Sequence, residues 1–128
     1  MKREFKYRYS PKGHAAMAKT FWIISDTLGS GDDELGRVLM RNFVYSLARA
    51  EARPVRVMLM NGGVKLACEG SDSLDDLKLL AENGVIVKVC GTCLDFLHLK
   101  DKVAVGEVGD MVGSVGVLSG DADVVTVA

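Results

Sequence analysis

Two cysteines with reactive spacing, Cys90 and Cys93, flank Gly91 and Thr92 in this sequence. A Cys-x-x-Cys pair at the start of a helix favours thiolate chemistry, because backbone N–H groups and the helix dipole stabilise a negative sulfur. Such a pair serves thiol–disulfide exchange, in which one sulfur attacks and the other resolves, or persulfide transfer, which needs one accessible thiolate. The plain alternative is two packed thiols, but Gly91 and Thr92 favour a sharp strand-to-helix turn over a buried helix.

Zinc would need two further ligands, and the remaining Cys68, His98 and His14 do not form a second Cys-x-x-Cys pair. We therefore expect no metal site and no cofactor. Cys68 is interpreted as a packed structural thiol. His98 comes more than one helical turn after Cys93 and is interpreted as a surface or packing residue.

Two further polar loops follow predicted strands. Gly29, Ser30 and Gly31 come after the first strand, and Asn61 and Gly62 come after the second. The glycine spacing matches neither the dinucleotide fingerprint nor a P-loop, and acidic residues crowd the place of a phosphate. Because ligands bind at the carboxyl ends of parallel strands, we expect both loops to frame a pocket beside the cysteines.

The elements that position these residues alternate between strand and helix. The apolar runs predict strands at 20–25, 55–60, 85–89 and 122–127 with a minor one at 103–105, and helices at 32–50, 71–84, 94–99 and 110–119. This alternation predicts a three-layer α/β/α sandwich with a mainly parallel sheet of about five strands. In the first helix, apolar residues at a spacing of four predict an inward stripe of Leu35, Leu39, Phe43 and Leu47, which Val38, Met40 and Val44 widen.

Composition excludes several classes of protein. A chain of 128 residues with 48% apolar residues fits a single domain, and its odd count of three cysteines argues against a secreted disulfide scaffold. A net charge of −1 argues against a nucleic-acid binder, and no apolar stretch is long enough to cross a membrane. We expect a cytoplasmic protein with reduced thiols.

Charge is nevertheless unevenly distributed. Residues 1–19 carry six Lys or Arg against one Glu, so their net charge is +5 and that of the remaining residues is −6. We interpret 1–19 as a basic N-terminal extension, a solvated tail or a tether to an acidic partner, and 20–128 as the domain.

Five motifs occur in an order found in one family: Gly29–Gly36, Leu39–Phe43, Asn61–Leu66, Glu69–Ser71 and Cys90–Asp95. In these motifs the chain resembles the C-terminal domain of YedF-like proteins, which belong to the DsrE/DsrF/TusD-like superfamily of sulfur-handling proteins. The resemblance covers roughly residues 20–127. It implies a DsrE-like fold and an intracellular sulfur or selenium carrier, or a sulfurtransferase-like protein, that works with sulfur donor and acceptor proteins.

In relatives of this kind, a cysteine in the loop after a central strand relays persulfide sulfur, and that loop matches Cys90–Cys93. Relatives with one cysteine align it with Cys90, whereas a position at a helix N-terminus favours Cys93 as the thiol of lower pKa, with Cys90 as the resolving thiol. Members commonly form oligomers, so we expect a homo-oligomer. YedF-like proteins often carry a TusA/SirA-like domain that is absent from this sequence, so we expect transfer between molecules.

Two alternative functions stay open. Cys90 and Cys93 could form a dithiol redox or sensing pair. The protein could instead be a non-catalytic oligomeric subunit, because apolar residues over 35–48 cover more than one face of the predicted first helix.

Overall fold

Five parallel strands form a single sheet in a computed structural model, which describes residues 19–128. The strands are β1 (Lys19–Ile23), β2 (Arg56–Leu59), β3 (Ile86–Cys90), β4 (Glu107–Gly109) and β5 (Asp123–Val127). Their order is β4-β3-β2-β1-β5, and every neighbouring pair is parallel. The predicted α/β fold is therefore confirmed. The predicted basic extension lies outside the described residues except for Lys19, which begins β1.

Helices lie on both sides of this sheet. They are α1 (Asp33–Arg49), α2 (Leu74–Glu82), α3 (Gly91–Phe96) and α4 (Met111–Leu118), with two 3₁₀ helices, η1 (Asn61–Ala67) and η2 (Lys100–Lys102). The chain steps from β1 to β4 towards one edge and then returns across the sheet to β5. Because such crossovers are right-handed, the return connection places α4 on the face opposite α1 and α2.

The hydrophobic core lies between the sheet and the pair α1 and α2. Met40 and Val44 of α1 and Leu77 and Leu80 of α2 are fully buried there. The strands contribute alternate residues, namely Ile23, Val57, Leu59, Val87, Val89 and Val127.

The buried stripe of α1 is narrower than the predicted one and includes its Met40, Val44 and Leu47. It consists of Gly36, Met40, Val44, Leu47 and Ala48. Leu35 and Leu39 are exposed, so their predicted inward orientation is wrong, while Phe43 is half-buried and packs edge-on against Phe21 at 5.8 Å between ring centroids. A Cβ at position 36 would lie 2.9 Å from Cβ of Thr27, so the glycine lets the helix approach that loop and thereby sets its rotation.

The edge strand is also displaced from its prediction. Val103, expected in a minor strand over 103–105, makes only an isolated antiparallel bridge with Cys68, whereas β4 forms four residues later. Lys88 of β3 pairs with Glu107 of β4 there at 2.7 Å. Among residues 19–128, no helix is long and apolar enough to cross a membrane.

Candidate functional site

The Cys-x-x-Cys segment stands where β3 meets α3. Cys90 is the last residue of β3 and the N-cap of α3, and Cys93 lies in the first turn of that helix. Gly91 permits this turn because a Cβ there would lie 3.1 Å from both the carbonyl oxygen of Gly109 and Cγ1 of Val108. The sharp strand-to-helix turn expected from Gly91 and Thr92 is therefore present, and it packs against the end of β4.

The end of β2 supplies a hydrogen bond to this segment. The backbone N–H of Asn61 donates to Sγ of Cys93 at 3.1 Å. Asn61 has a φ of +52°, a left-handed conformation that asparagine tolerates better than most residues. Since β2 and β3 are neighbours, their carboxyl ends bring the two loops together. Asn61 makes this contact through its backbone.

The close approach of Gly63 to the backbone of β1 holds Asn61 in place. A Cβ on Gly63 would clash with the carbonyl oxygen of Ile23 in β1. The same carbonyl accepts the backbone N–H of Met60 at 3.0 Å. The start of η1 is thus pressed onto the end of β1, which fixes the direction of the Asn61 N–H.

The two thiols differ in exposure. Cys90 is buried and Cys93 is half-buried. Burial raises the pKa of the Cys93 thiol, the interaction with Cys90 raises it further, and the Asn61 N–H acts in the opposite direction. The pKa of Cys93 is therefore raised despite its place in the first turn of α3. Its helix has only six residues, and its dipole does not compensate for the desolvation of the thiolate.

The first glycine loop takes a different position from the one expected. Gly29, Ser30 and Gly31 are exposed, and the N–H of Gly29 donates to the carbonyl oxygen of Ala128 at 3.0 Å, beyond the end of β5. Within 19–128, no described hydrogen bond joins this loop to the cysteines. Asp26 reaches the Asn61 loop instead, because a Cβ on Gly62 would lie 3.1 Å from its Oδ1.

Thr92 is exposed beside the thiols and has no described side-chain hydrogen bond within residues 19–128. His98 is exposed with a φ of +58°, and it follows α3 without contacting either sulfur by a described hydrogen bond in this part of the chain. Cys68 is buried and donates from Sγ to the carbonyl oxygen of Val64 at 3.3 Å, as expected of a packing thiol. Over the described range, no three His, Cys, Asp or Glu residues are grouped so as to hold a metal ion.

Sequence reasoning missed a charged cleft beside this site. The cleft has a volume of about 560 Å³ and lies between α1, η1 and the segment that follows α3. Arg37 and Arg41 line it from α1, and Asp26 lines it from the end of β1. The available signal was that Arg37 and Arg41 are four residues apart and therefore share one side of the helix.

Comparison with known proteins shows the fold of the chain. No protein-family model matches it, and no curated protein matches it by sequence. Its structure is similar to that of ychN from E. coli, with a TM-score of 0.59 and 22% identity over 84% of this chain and 98% of that one. It is also similar to a protein of unknown function, MTH1491 from Methanobacterium thermoautotrophicum, with a TM-score of 0.57 and 23% identity over 84% and 96%.

A third similar structure is BT1422 from Bacteroides thetaiotaomicron, a conserved protein of unknown function. Its TM-score is 0.59 at 10% identity, over 84% of this chain and 94% of that one. At these levels of identity the likeness extends to the fold alone. The three-layer α/β fold with a parallel five-stranded sheet, predicted from the sequence, is thereby confirmed.

Proposed function

We propose that the protein is a cytoplasmic sulfur carrier of the YedF-like type, which holds a persulfide on Cys93 and passes the sulfur to a partner. The observation that carries this proposal is the half-buried Sγ of Cys93, held at the meeting point of two strand ends by the N–H of Asn61 at 3.1 Å. Cys93 is chosen over Cys90 because Cys90 is buried. The same chemistry applies to selenium in place of sulfur.

The transfer proceeds by displacement at sulfur. The Cys93 thiolate attacks the terminal sulfur of a donor persulfide, a new S–S bond forms, and the donor S–S bond breaks. The donor leaves as a thiolate and takes up the proton that Cys93 released. An acceptor thiolate then attacks the terminal sulfur of Cys93–S–SH and releases the Cys93 thiol. No net oxidation occurs, and no external redox partner is required.

The surroundings of Cys93 suit a carrier that loads on contact with its donor. Burial and the interaction with Cys90 raise the pKa of Cys93, so the resting thiol is protonated at neutral pH. The Asn61 N–H bonds the Cys93 sulfur and is placed to stabilise the negative charge on it when Cys93 attacks, or leaves, as a thiolate. The site therefore supports both the loading and the release of sulfur.

Mass spectrometry after incubation with a persulfide donor tests this proposal. We expect a mass gain of one sulfur atom on the peptide that contains Cys93. Cys93→Ser should abolish the gain, whereas Cys68→Ser, which removes a thiol outside the site, should retain it. A wild-type protein that gains no sulfur under conditions that load a known carrier contradicts the proposal.

The interaction of the two thiols, through which Cys90 raises the pKa of Cys93, favours a second candidate, a dithiol redox or sensing pair. Cys90→Ala separates the two functions. A carrier retains sulfur loading on Cys93, and the pKa of Cys93 falls because an interaction that raises it is lost, so iodoacetamide reacts faster at neutral pH. A redox pair instead loses its reversible disulfide and its function. Loss of loading in Cys90→Ala would favour the dithiol function.

We also propose that the protein assembles with copies of itself. Phe96 after the cysteines and Met111, Val112 and Val115 of α4 are large apolar side chains with high exposure, and Val112 reaches 83%. Exposed apolar groups of this kind are typical of protein interfaces. Donor and acceptor proteins would then approach the edge of the sheet at which Cys93 lies.

A further inference from the structure

The charged cleft beside the cysteines combines an apolar floor with polar walls. Leu66, Leu97 and Leu99 form the floor. Its volume of about 560 Å³ falls within the range of about 300–1,000 Å³ that is typical of small-molecule sites. It is therefore large enough to enclose most of a compact organic ligand.

Both signs of charge line the walls. The cations are Arg37, Arg41 and Lys65, and the carboxylates are Asp26, Glu69 and Asp72. Among residues 19–128, none of the six takes part in a salt bridge, although four salt bridges form elsewhere in that range. The opposite charges thus face one cavity without neutralising each other. A ligand that carries both signs would pair with both walls.

The cleft adjoins Cys93 through two connections. The N–H of Leu97, on the floor, donates to the carbonyl oxygen of Cys93 at 3.0 Å. Asp26, on the wall, lies beside Gly62, the neighbour of the residue whose N–H bonds Sγ of Cys93. Neither cysteine lines the cleft itself, but the segments that line it continue into those that hold the sulfur.

We propose that this cleft binds a small zwitterionic thiol of the amino-acid type, which donates or accepts the sulfur handled at Cys93. This inference rests on the proposed carrier function and names the class of its small substrate. The ligand carboxylate pairs with the guanidinium groups of Arg37 and Arg41, which suit planar, bidentate recognition. Its ammonium group pairs with the carboxylates, and its methylene groups cover the apolar floor.

Sulfur transfer between this ligand and Cys93 is again a displacement at sulfur without net oxidation. When the ligand arrives as a persulfide, Cys93 takes its terminal sulfur and the ligand leaves as the free thiol. When it arrives as a thiol, its thiolate takes the sulfur from Cys93–S–SH and leaves as the persulfide. The cleft binds the same carboxylate and ammonium groups in both directions.

Titration of the reduced protein with L-cysteine and with glutathione, followed by amide chemical shifts, tests binding. We expect saturable amide shifts at Arg41, Lys65 and Leu97. Tighter binding of L-cysteine would indicate that the ligand is a single amino acid, and tighter binding of glutathione would indicate a peptide. Cysteamine lacks the carboxylate and 3-mercaptopropionate lacks the ammonium, so each should bind about tenfold or more weakly. Equal binding of all four compounds would overturn the requirement for both charges.

A matched pair of arginine variants locates the site. Arg41→Gln should weaken binding of the preferred ligand about tenfold or more, because it removes a charged partner from the wall. Arg53→Gln, an exposed arginine between α1 and β2 and outside the cleft, should leave binding unchanged. Absence of saturable shifts, or equal affinity in wild type and Arg41→Gln, would overturn the proposal.

Sulfur loading from inorganic polysulfide separates this inference from the proposed function. Polysulfide carries neither a carboxylate nor an ammonium group, so wild-type Cys93 should load from it whether or not the cleft binds an amino-acid thiol. Normal loading from polysulfide without thiol binding overturns the cleft alone. Failure of wild type to load from any donor overturns the carrier function, and with it the role of the cleft ligand as a sulfur substrate.

Discussion

The two faces of the sheet are built very differently. On the α1 and α2 face, helical side chains such as Met40, Val44 and Leu80 are fully buried. On the α4 face, the helix contributes no buried residue, although α4 contains no charged side chain. That face also holds Lys88, which alternates along β3 with the core residues Val87 and Val89 and pairs with Glu107.

The difference between the two faces shows that an apolar helix is not necessarily a buried one. A helix without charged residues is ordinarily buried on all sides, yet α4 packs too little against the rest of residues 19–128 to bury its apolar groups. The core that residues 19–128 form is complete without it. We therefore interpret the apolar residues of α4 as belonging to an interface with a second copy rather than to the core.

The largest expected effect concerns the core face. Leu80→Ala leaves a cavity beneath fully packed side chains and should lower the free energy of unfolding by about 2–5 kcal/mol. Val112→Ala, on the exposed side of α4, should change it by less than about 0.5 kcal/mol. Urea denaturation of both variants measures the difference. Equal losses would mean that α4 is part of the core and would remove the contrast.

Alanine substitutions at two glycines, one packed against the sheet and one in α4, should change the free energy of unfolding in opposite directions. Gly63→Ala forces a methyl group against the carbonyl oxygen of Ile23 and should cost about 1–3 kcal/mol. Gly116→Ala in α4 meets open space and should stabilise the helix by up to about 1 kcal/mol. Both midpoints can be measured by thermal unfolding at a concentration that keeps the protein monomeric.

At higher protein concentration, Gly116→Ala also tests whether position 116 lies in the interface between copies. A methyl group at position 116 would lie on the surface that we assign to self-association. A gain in stability that disappears as the protein is concentrated would place Gly116 inside the interface, whereas a gain that is independent of concentration would place it outside.

The assigned interface itself is tested by charge. Val112→Asp should weaken self-association about tenfold or more, because it buries a carboxylate in an apolar contact. Val38→Asp, on the outer side of α1, should not weaken it. Sedimentation velocity over a range of concentrations measures both. Dissociation by Val38→Asp alone would instead place the interface on the exposed apolar surface of α1.

Much of the fold follows from sequence because strands and long helices have strong periodic signals. The strands β1, β2, β3 and β5 and the helices α1 and α2 lie within a few residues of their predicted ranges. The rotation of α1 about its axis does not follow from the sequence. Apolar residues lie on more than one face of that helix, and its rotation depends on the close approach to Thr27 that Gly36 permits. The edge strand β4 has only three residues, too few for a pattern.

For the candidate site, the sequence predicts which residues take part better than it predicts how they are arranged. The spacing of Cys90 and Cys93 and the strand end at Asn61 can be identified in the sequence, and parallel topology brings them together. The backbone donor at Asn61, the burial that raises the pKa of Cys93 and the role of Asp26 depend on tertiary packing. No local pattern encodes those three features.

The smallest expected effect comes from the ion pair on the α4 face. Lys88 lowers the pKa of Glu107 through a hydrogen bond and its charge, so the pair stabilises the folded protein above the ordinary pKa of glutamate and loses that effect as pH falls through the lowered pKa. Glu107 is fully exposed, so solvent and salt screen the interaction strongly. Glu107→Gln should therefore lower the urea midpoint slightly at pH 7 in low salt, and not at acidic pH or in high salt.

Glu82→Gln, an exposed acid of α2 that takes part in no salt bridge within 19–128, is the matched control and should leave the midpoint unchanged under all these conditions. A loss in Glu107→Gln as large as that in Leu80→Ala would contradict the contrast between the faces. It would mean that the β3 and β4 edge is held by charge as firmly as the opposite face is held by packing. Since β4 contributes only three residues and none of them is buried, we expect the ion pair to adjust this edge and the core to hold it.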